Sequence, residues 1–276
     1  MESCFLYTAP IIHRSNTMIL AIDVGNTNIV LGGIRDGKQV FSSRLASDRN
    51  KTADQYALDI QGIMTMYGVS PHDFDGGIIS SVVPYLQTVI PAAVKLLTGL
   101  DIMVVGPGIR TGLNIRVDNP ASVGSDLIVA AVAARAKYAP PIAIIDMGTA
   151  TTLSVVSKEG SYIGGMIIPG LWVSMNALSS HAAQLPYIDL TGPTTLLGTN
   201  TVDCMRSGAV IGSAAMLDGL IDRLETEMGE KVNAVLTGGL SSLVLPYCAH
   251  KFYYEPDILI KGLQILYEKN LQSQQK

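Results

Sequence analysis

The 276-residue chain is poor in cysteine and in charge. Its three cysteines, Cys4, Cys204 and Cys248, are widely spaced and form no CxxC pair, which favours free thiols in a reducing compartment. Only 15% of the residues are charged and the net charge is −4, which argues against a generally basic nucleic-acid-binding protein. We therefore expect a cytoplasmic protein with no nucleic-acid partner.

Aromatic residues and long apolar runs are also scarce. With four Phe and one Trp, the core has to be built mainly from aliphatic side chains. No stretch of 18 apolar residues occurs, so we expect no membrane partner. Residues 1–17 lack the basic start and the long apolar segment of a signal peptide, and we predict that they form an N-terminal extension outside the fold.

Several familiar site signatures are missing as well. The P-loop pattern GxxxxGK(S/T) does not occur, and no GxGxxG follows a predicted strand, which argues against a Walker-type ATPase and a dinucleotide-binding domain. The four histidines show no metal-ligand spacing, which argues against a histidine-based metal centre.

What the chain does contain is an internal repeat. Residues 19–23 form an apolar run that ends in Asp23, and residues 142–146 form a second run that ends in Asp146. In both copies a glycine follows two residues after the Asp, then come small polar residues, an apolar strand and a turn pair. The offset is 123 residues at the Asp and again at the turn glycine. The two turn pairs are Asp36-Gly37 and Glu159-Gly160.

Each copy predicts a strand, a tight turn, a second strand, a turn and a third strand, followed by helices. Strands that alternate with helices indicate an α/β architecture. We predict a first domain over 18–136 and a second over 137–276, with Thr52 and Ser122 as helix caps. The predicted helices lie at about 51–67, 85–98, 122–137, 171–180, 203–228 and 258–270, and further strands lie at about 76–80, 101–105 and 234–236.

The loops of this arrangement suit a phosphorylated ligand. Two Asp-x-Gly turns would face each other across a cleft, and their backbone N–H groups and hydroxyls suit phosphate oxygens. Each Asp could hold a hard cation, directly or through water. Thr237-Gly238-Gly239 lies where a strand meets a helix, which also favours anions. A single such turn is more often structural, but the repeat predicts a nucleotide cleft between the halves.

The pair of Asp-Gly-Thr turns resembles the superfamily of sugar kinases, heat-shock ATPases and actin. Within it, the chain resembles the type III pantothenate kinases, which start coenzyme A synthesis. The resemblance covers about 18–270 and implies two duplicated actin-like (ribonuclease H-like) domains, with mixed sheets flanked by helices. It is carried by AIDVGNTNIVLG at 21–32, SSVVP at 80–84, GPGIRTGLNI at 106–115, DNPASVGSDLIVAAVAA at 118–134, DMGTATTLSVV at 146–156, GSYIGGMIIPG at 160–170, NTVDCMRSG at 200–208 and TGGL at 237–240.

The resemblance implies a role for each matched residue. Asp126 corresponds to the catalytic base, although the residue pattern alone favours a helix N-terminal Asp stabilised by the dipole. Asp23 is implied as the divalent-cation (Mg²⁺) ligand and Asp146 as the ligand of K⁺ or NH₄⁺. The implied ATP site comprises Asp23, Val24, Gly25, Asn26, Thr27, Asn28, Ile29, Val30 and Thr149, joined by Gly238 and Gly239, and the implied pantothenate site comprises Gly124, Ser125, Asp126, Leu127 and Thr201.

Two departures from the family pattern concern the acid substrate. Leu127 stands where the family commonly has an arginine, and Val117 stands where a tyrosine is common. Pantothenate carries a carboxylate, so an arginine would be an obvious partner. Arg110, Arg116 and Arg206 are candidate replacements.

The predicted function is ATP-dependent phosphorylation of pantothenate to 4′-phosphopantothenate. Two alternatives remain open: a related kinase with a different hydroxy substrate, or a catalytically silent nucleotide-binding regulator. The resemblance also implies a homodimer. An apolar stripe within 203–228 fits either a dimer interface or the core: Val210, Ile211, Met216, Leu217, Leu220, Ile221 and Leu224.

Overall fold

The computed structural model describes residues 18–274. The predicted extension at 1–17, with Cys4, lies outside the described residues. The strands are β1 (Met18–Val24), β2 (Asn28–Arg35), β3 (Lys38–Ala46), β4 (Phe74–Ser81), β5 (Met103–Val104), β6 (Asn114–Ile115), β7 (Ile142–Met147), β8 (Ala150–Val156), β9 (Ser161–Pro169), β10 (Asn233–Thr237) and β11 (Tyr253–Tyr254). The helices are α1 (Ala53–Met66), α2 (Leu86–Thr98), α3 (Ser125–Lys137), α4 (Leu171–His181), α5 (Thr201–Met228), α6 (Ser241–Val244) and α7 (Ile258–Gln274).

The internal repeat is a structural repeat. The first sheet has the order β3-β2-β1-β4-β5, and the second has the matching order β9-β8-β7-β10-β11 with β6 added beside β9. In each sheet the first three strands are antiparallel neighbours, whereas the next two run parallel to the first strand of the copy. The predicted α/β architecture with two mixed sheets flanked by helices is therefore confirmed.

The first turn pair has the geometry that its residues favour. Strands β2 and β3 pair Arg35 with Lys38, which leaves a two-residue loop between them. Asp36 and Gly37 occupy this loop with φ values of 50° and 75°. A two-residue hairpin with both central residues at positive φ is a type I′ turn, and Asp-Gly is one of its preferred pairs.

Three apolar clusters divide the molecule into layers. One cluster joins α1 and α2 to one face of the first sheet. A second cluster, which includes α3 and α7, fills the space between the two sheets. A third joins α4 and α5 to the outer face of the second sheet. Both faces of each sheet are covered, which explains why β1 and β7 are almost continuously apolar rather than alternating.

Helix α3 lies at the centre and is apolar on most sides. Seven consecutive residues, 128–134, are buried, and four of them are alanine. Small side chains allow α7 to pack close to α3. A Cβ on Gly262 of α7 would lie 2.7 Å from Cγ1 of Val129, too close for two carbons. A helix that is apolar all round belongs in a core, and α3 is the shared core helix of both sheets.

Two local predictions are confirmed and one is wrong. Thr52 caps α1 with a full capping box, as predicted. Ser122 does not cap α3, because its hydroxyl donates to the carbonyl of Asn119 and Gly124 occupies the N-cap position instead. Cys204 and Cys248 are free thiols, as expected.

The division into 18–136 and 137–276 stays a prediction, and two elements cross that boundary. Strand β6 of the first half pairs with β9 in the second sheet. Helix α7, at the end of the second half, packs on β1 and β4 of the first sheet. The side chain of Tyr267 occupies the space where Gly76 of β4 lacks a Cβ, which allows this close approach.

Helix α5 is long and apolar enough, by length and composition alone, to cross a membrane. Within the described residues it is the one helix of that kind. Val210, Ala214, Leu217 and Ile221 of this helix are buried against the second sheet. This burial is typical of a core helix, and part of the predicted apolar stripe therefore belongs to the core.

Candidate active site

The two repeated aspartates lie at equivalent places in the two sheets. Asp23 is near the end of β1 and is level with Ser80 on the neighbouring parallel strand β4. Asp146 is near the end of β7 and is level with Thr237 on the parallel strand β10. Each carboxylate thus has a hydroxyl residue beside it. The carboxyl ends of parallel strands are where α/β sheets bind ligands, so the topology itself marks this edge.

The loops after the two aspartates meet across the cleft. The hydroxyls of Thr27 and Thr149 lie 2.7 Å apart and form a hydrogen bond between the halves. The N–H of Gly25 donates to Asn28, and the N–H of Gly148 donates to Ala150. The amides of these two glycines are thus used inside the turns, whereas the hydroxyls of Thr27 and Thr149 are exposed at the cleft.

Asp126 enters the same cleft from the start of α3. The preceding residue, Ser125, anchors the helix start to β4: its hydroxyl lies 3.1 Å from the hydroxyl of Ser80 and donates to the carbonyl of Ser81 at 3.3 Å. One carboxylate oxygen of Asp126 accepts the N–H of Leu127 at 2.9 Å. Asp126 therefore does lie in the first turn of a helix, and its carboxylate is also close to Asp23 and Asp146.

Three carboxylates therefore share one poorly solvated region. Burial and, to a lesser extent, the nearby charges of Asp126 and Asp146 together raise the pKa of Asp23 to about 7, although a hydrogen bond with Ser80 opposes the rise. Burial and the charge of Asp126 raise the pKa of Asp146 to about 6, against the opposing charge of Arg44. Burial also raises the pKa of Asp126. Like charges held together out of water favour protons or bound cations.

The donor set suits cations that share ligands with a substrate. Among the described residues, no three His, Cys, Asp or Glu side chains form a metal site by themselves. Mg²⁺ commonly takes one or two carboxylates together with phosphate oxygens and water, so Asp23 fits such an ion. Asp146, on the opposite wall, has carboxylate oxygens that could hold a second cation. Buried carboxylates with raised pKa values would lose their mutual repulsion when cations bind.

The third loop, Thr237-Gly238-Gly239, leaves no room for a side chain at Gly238. Gly238 has φ of 99°, a conformation that other residues rarely adopt. A Cβ there would lie 2.5 Å from a carboxylate oxygen of Asp146. The predicted helix after this loop is α6, which has only four residues. Gly238 therefore allows the loop to lie close to Asp146. The short helix α6 contributes little to anion binding.

The predicted substrate residues are only partly brought together. Gly124, Ser125 and Asp126 lie together at the start of α3, and the Asp126 carboxylate is close to Asp23 and Asp146, but Leu127 packs against the central core, as does Val117. Thr201 is the exposed first residue of α5, and its hydroxyl forms no hydrogen bond within residues 18–274.

The arginines offered as replacements for the missing family arginine are not gathered at this cleft. Arg206 pairs with Asp203 at 3.7 Å and donates to the carbonyl of Asp189. Arg116 follows β6 and is held by its backbone to Tyr162 of the second sheet. The backbone of Arg110 is held by the side chain of Asn270. That one of these arginines binds the pantothenate carboxylate in place of the missing family arginine stays a prediction.

Sequence reasoning missed two residues of the site. Ser80 belongs to the stretch SSVVP that matches the family, but the sequence does not show that it links Asp23 to the start of α3. No pattern in the sequence marks Arg44, although its charge acts on Asp146 across the cleft. Neither has a local motif. The position of Arg44 along the chain is the one indication of its role, because it lies near the end of β3 that is next to the first turn.

Comparison with known proteins identifies the family. The sequence model described as Type III pantothenate kinase matches residues 19–223. A type III pantothenate kinase of Moorella thermoacetica is 42% identical over 253 residues, which cover 92% of this chain and 100% of the relative. This chain belongs to the type III pantothenate kinase family. A second member, from Halalkalibacterium halodurans, is 41% identical over 254 residues, with 92% and 100% coverage.

A solved structure agrees with this family at the level of the fold. A candidate 2-dehydro-3-deoxygalactonokinase from Sinorhizobium meliloti superposes with a TM-score of 0.58 at 15% identity, covering 91% of this chain and 96% of that one. The predicted actin-like fold is confirmed. The type III pantothenate kinase match spans both repeated turns and the start of α3, and only the loop at 237–239 lies beyond the matched residues.

Proposed function

We propose that this protein transfers the γ-phosphoryl group of ATP to pantothenate and forms 4′-phosphopantothenate, the first step of coenzyme A biosynthesis. The observation that carries the proposal is the family match over residues 19–223, which includes both aspartate turns and Asp126. The geometry agrees with it, because three carboxylates and two threonine hydroxyls converge at one cleft. We further propose that the enzyme acts in the cytoplasm.

ATP would be held by both walls of the cleft. The first turn, residues 23–30, and Thr149 would contact the phosphates, and the side-chain-free loop at Gly238 and Gly239 would let the nucleotide approach the backbone. Asp23 would hold Mg²⁺, and Asp146 would hold K⁺ or NH₄⁺. When bound, these cations neutralise phosphate charge. Their presence would also lower the raised pKa values of the two aspartates.

The chemistry then needs alignment and a proton acceptor. The substrate hydroxyl oxygen forms a bond to the γ-phosphorus while the bond from that phosphorus to the β–γ bridging oxygen breaks, and ADP leaves. Asp126 accepts the hydroxyl proton and later releases it to solvent. Its raised pKa makes it a stronger base than an ordinary aspartate. The hydrogen bonds of Ser125 to β4 fix the start of α3 and so position this carboxylate.

We also propose a homodimer in which the partner subunit helps to enclose pantothenate. The second half carries several exposed apolar side chains that suit burial: Ile167 (79% exposed), Trp172 (45%), Tyr187 (70%) and Leu197 (81%). An apolar groove of about 680 Å³ lies between α4, α5 and the end of β9. The free hydroxyl of Thr201 would serve the shared substrate site. Light scattering should give twice the 29.3 kDa chain mass, and a monomer at assay concentration would contradict the dimer.

A related kinase with a different hydroxy substrate is the second candidate. It is favoured by Leu127, which packs on the core where the family commonly offers an arginine to the acid. The silent-regulator alternative has no such support, because Asp126 is present and faces the cleft.

One assay separates these candidates. Purified protein with ATP, Mg²⁺ and K⁺ or NH₄⁺ is tested with pantothenate and with a panel of other hydroxy acids, and ADP release is followed. We expect pantothenate to give the highest kcat/KM and omission of the monovalent cation to reduce the rate. Preference for another compound would favour the second candidate, and no ADP with any acceptor would favour the silent regulator.

A further inference from the structure

Arg44 reaches across the cleft from the first half to the second. It lies on β3, two residues from the cleft end of that strand, and pairs in register with Val30 of β2. Its guanidinium nitrogen Nη1 lies 3.6 Å from the place that a Cβ on Gly239 would occupy. Gly239 belongs to the loop after β10. The Thr27–Thr149 hydrogen bond also joins the two walls, and Arg44 is a second place where they approach closely.

The guanidinium has no partner at this position. Within residues 18–274, Arg44 forms no ion pair and no side-chain hydrogen bond. Other arginines of the molecule are held: Arg35 by Asp73, Arg49 by Asn26, Arg135 by the carbonyl of Gly112 and Arg206 by Asp203. The positive charge of Arg44 acts on Asp146, but no hydrogen bond or ion pair joins these two side chains within the described residues. Its five N–H donors are therefore available to a ligand between the walls.

The charges around Arg44 explain why a ligand would need it. The cleft contains the three carboxylates of Asp23, Asp126 and Asp146, and they repel the phosphates of a nucleotide as strongly as they attract cations. A planar guanidinium can donate two parallel hydrogen bonds to a phosphate, which a single ammonium cannot. Because Gly239 has no side chain, nothing separates the guanidinium from the loop on the opposite wall.

We propose that Arg44 is a nucleotide-binding residue. It extends from β3 of the first half of the chain towards the second half, and its guanidinium donates hydrogen bonds to the terminal phosphates of ATP. The assignment rests on the proposed function of the cleft as an ATP site. The other anion to consider is the carboxylate of pantothenate, which lacks its usual arginine at position 127. Arg44 lies beside the nucleotide turn and Gly239, whereas the acid site begins at the start of α3, so the phosphates are favoured.

The test is a calorimetric titration of the intact protein with the magnesium complex of β,γ-imido-ATP. Arg44→Gln should weaken binding about 10- to 100-fold, because charge-assisted hydrogen bonds to phosphate are lost. Arg44→Lys should lose less, about 3- to 10-fold, since it keeps the charge but not the fork. Lys38→Gln is the matched control: it removes one positive charge from the exposed opposite end of β3 and should bind like the wild type.

Steady-state kinetics separate the two anions. With Arg44→Gln, KM for ATP should rise while KM for pantothenate stays within twofold of the wild type, and the thermal midpoint should not change because Arg44 holds no other residue. A rise confined to KM for pantothenate would overturn the assignment, as would wild-type nucleotide binding by Arg44→Gln. If the wild-type protein bound no nucleotide, both the proposed function and the role of Arg44 would be contradicted. If the wild type bound nucleotide and Arg44→Gln bound it equally well, only the role of Arg44 would be contradicted.

Discussion

Replacing Asp126 with Asn should reduce kcat about 10²- to 10⁴-fold while leaving the fold intact. The amide keeps the shape of the side chain and can still accept the N–H of Leu127, so α3 should begin at the same place. It cannot take the proton of the substrate hydroxyl. Because Asp126 also raises the pKa values of Asp23 and Asp146, the variant should bind the magnesium nucleotide as well as the wild type or better.

The control is Asp101→Asn. The side chain of Asp101 is 82% exposed and pairs with Lys95 on the surface, so removal of its charge should leave kcat unchanged. Near-wild-type turnover by Asp126→Asn would rule out the base assignment and leave the carboxylate as a helix-terminal charge. Lost turnover together with a lowered unfolding temperature would instead mark Asp126 as structural, and circular dichroism melts distinguish these results.

Replacing Glu255 with Gln should lower the free energy of unfolding by about 3 kcal/mol. The side chain of Glu255 is only 5% exposed and accepts hydrogen bonds from Lys137, Tyr138 and Lys261. Burial raises its pKa, but these three donors more than offset that effect and bring the pKa to about 2. Since Lys137 ends α3 and Lys261 is in the first turns of α7, the cluster fastens the two central helices together.

The pH dependence of this effect has a definite sign. The folded pKa lies below the ordinary value of 4.5, so the stabilisation is present above about pH 4.5 and is lost as the pH falls towards 2. Urea denaturation should therefore show a constant gap between wild type and Glu255→Gln from pH 6 to 8, and a smaller gap below pH 4.5. Glu227→Gln, an exposed change on α5, should alter stability by less than about 0.5 kcal/mol. An equal loss in both variants would contradict the role of the cluster.

Most of the fold could be predicted from the internal repeat. The 123-residue offset between Asp23 and Asp146 predicted two copies of three strands, and the two sheets have that arrangement with matching strand order. The capping of α1 by Thr52 and the hairpin at Asp36-Gly37 also followed from local chemistry. The cap and the hairpin depend on neighbouring residues, so the local sequence is sufficient to predict them.

Features that depend on distant contacts were not predictable in the same way. The two-residue strand β6 is defined only by its partner β9, and no periodicity can mark so short an element. The packing of α7 on the first sheet depends on Gly32 and Gly76, whose missing side chains make room for Ile260 and Tyr267. Arg44 reaches the site only because β3 runs back to the cleft. In each case the tertiary arrangement, rather than any local pattern, decides the position.

The most direct test of the account is to identify the product. Wild-type protein is incubated with ATP, Mg²⁺, K⁺ and pantothenate, and the mixture is followed by ³¹P NMR. We expect the γ-phosphate signal of ATP to be replaced by one phosphomonoester signal, with mass spectrometry giving 4′-phosphopantothenate and an equal amount of ADP. Release of inorganic phosphate without a phosphomonoester, or an unchanged ATP spectrum under these conditions, would contradict it.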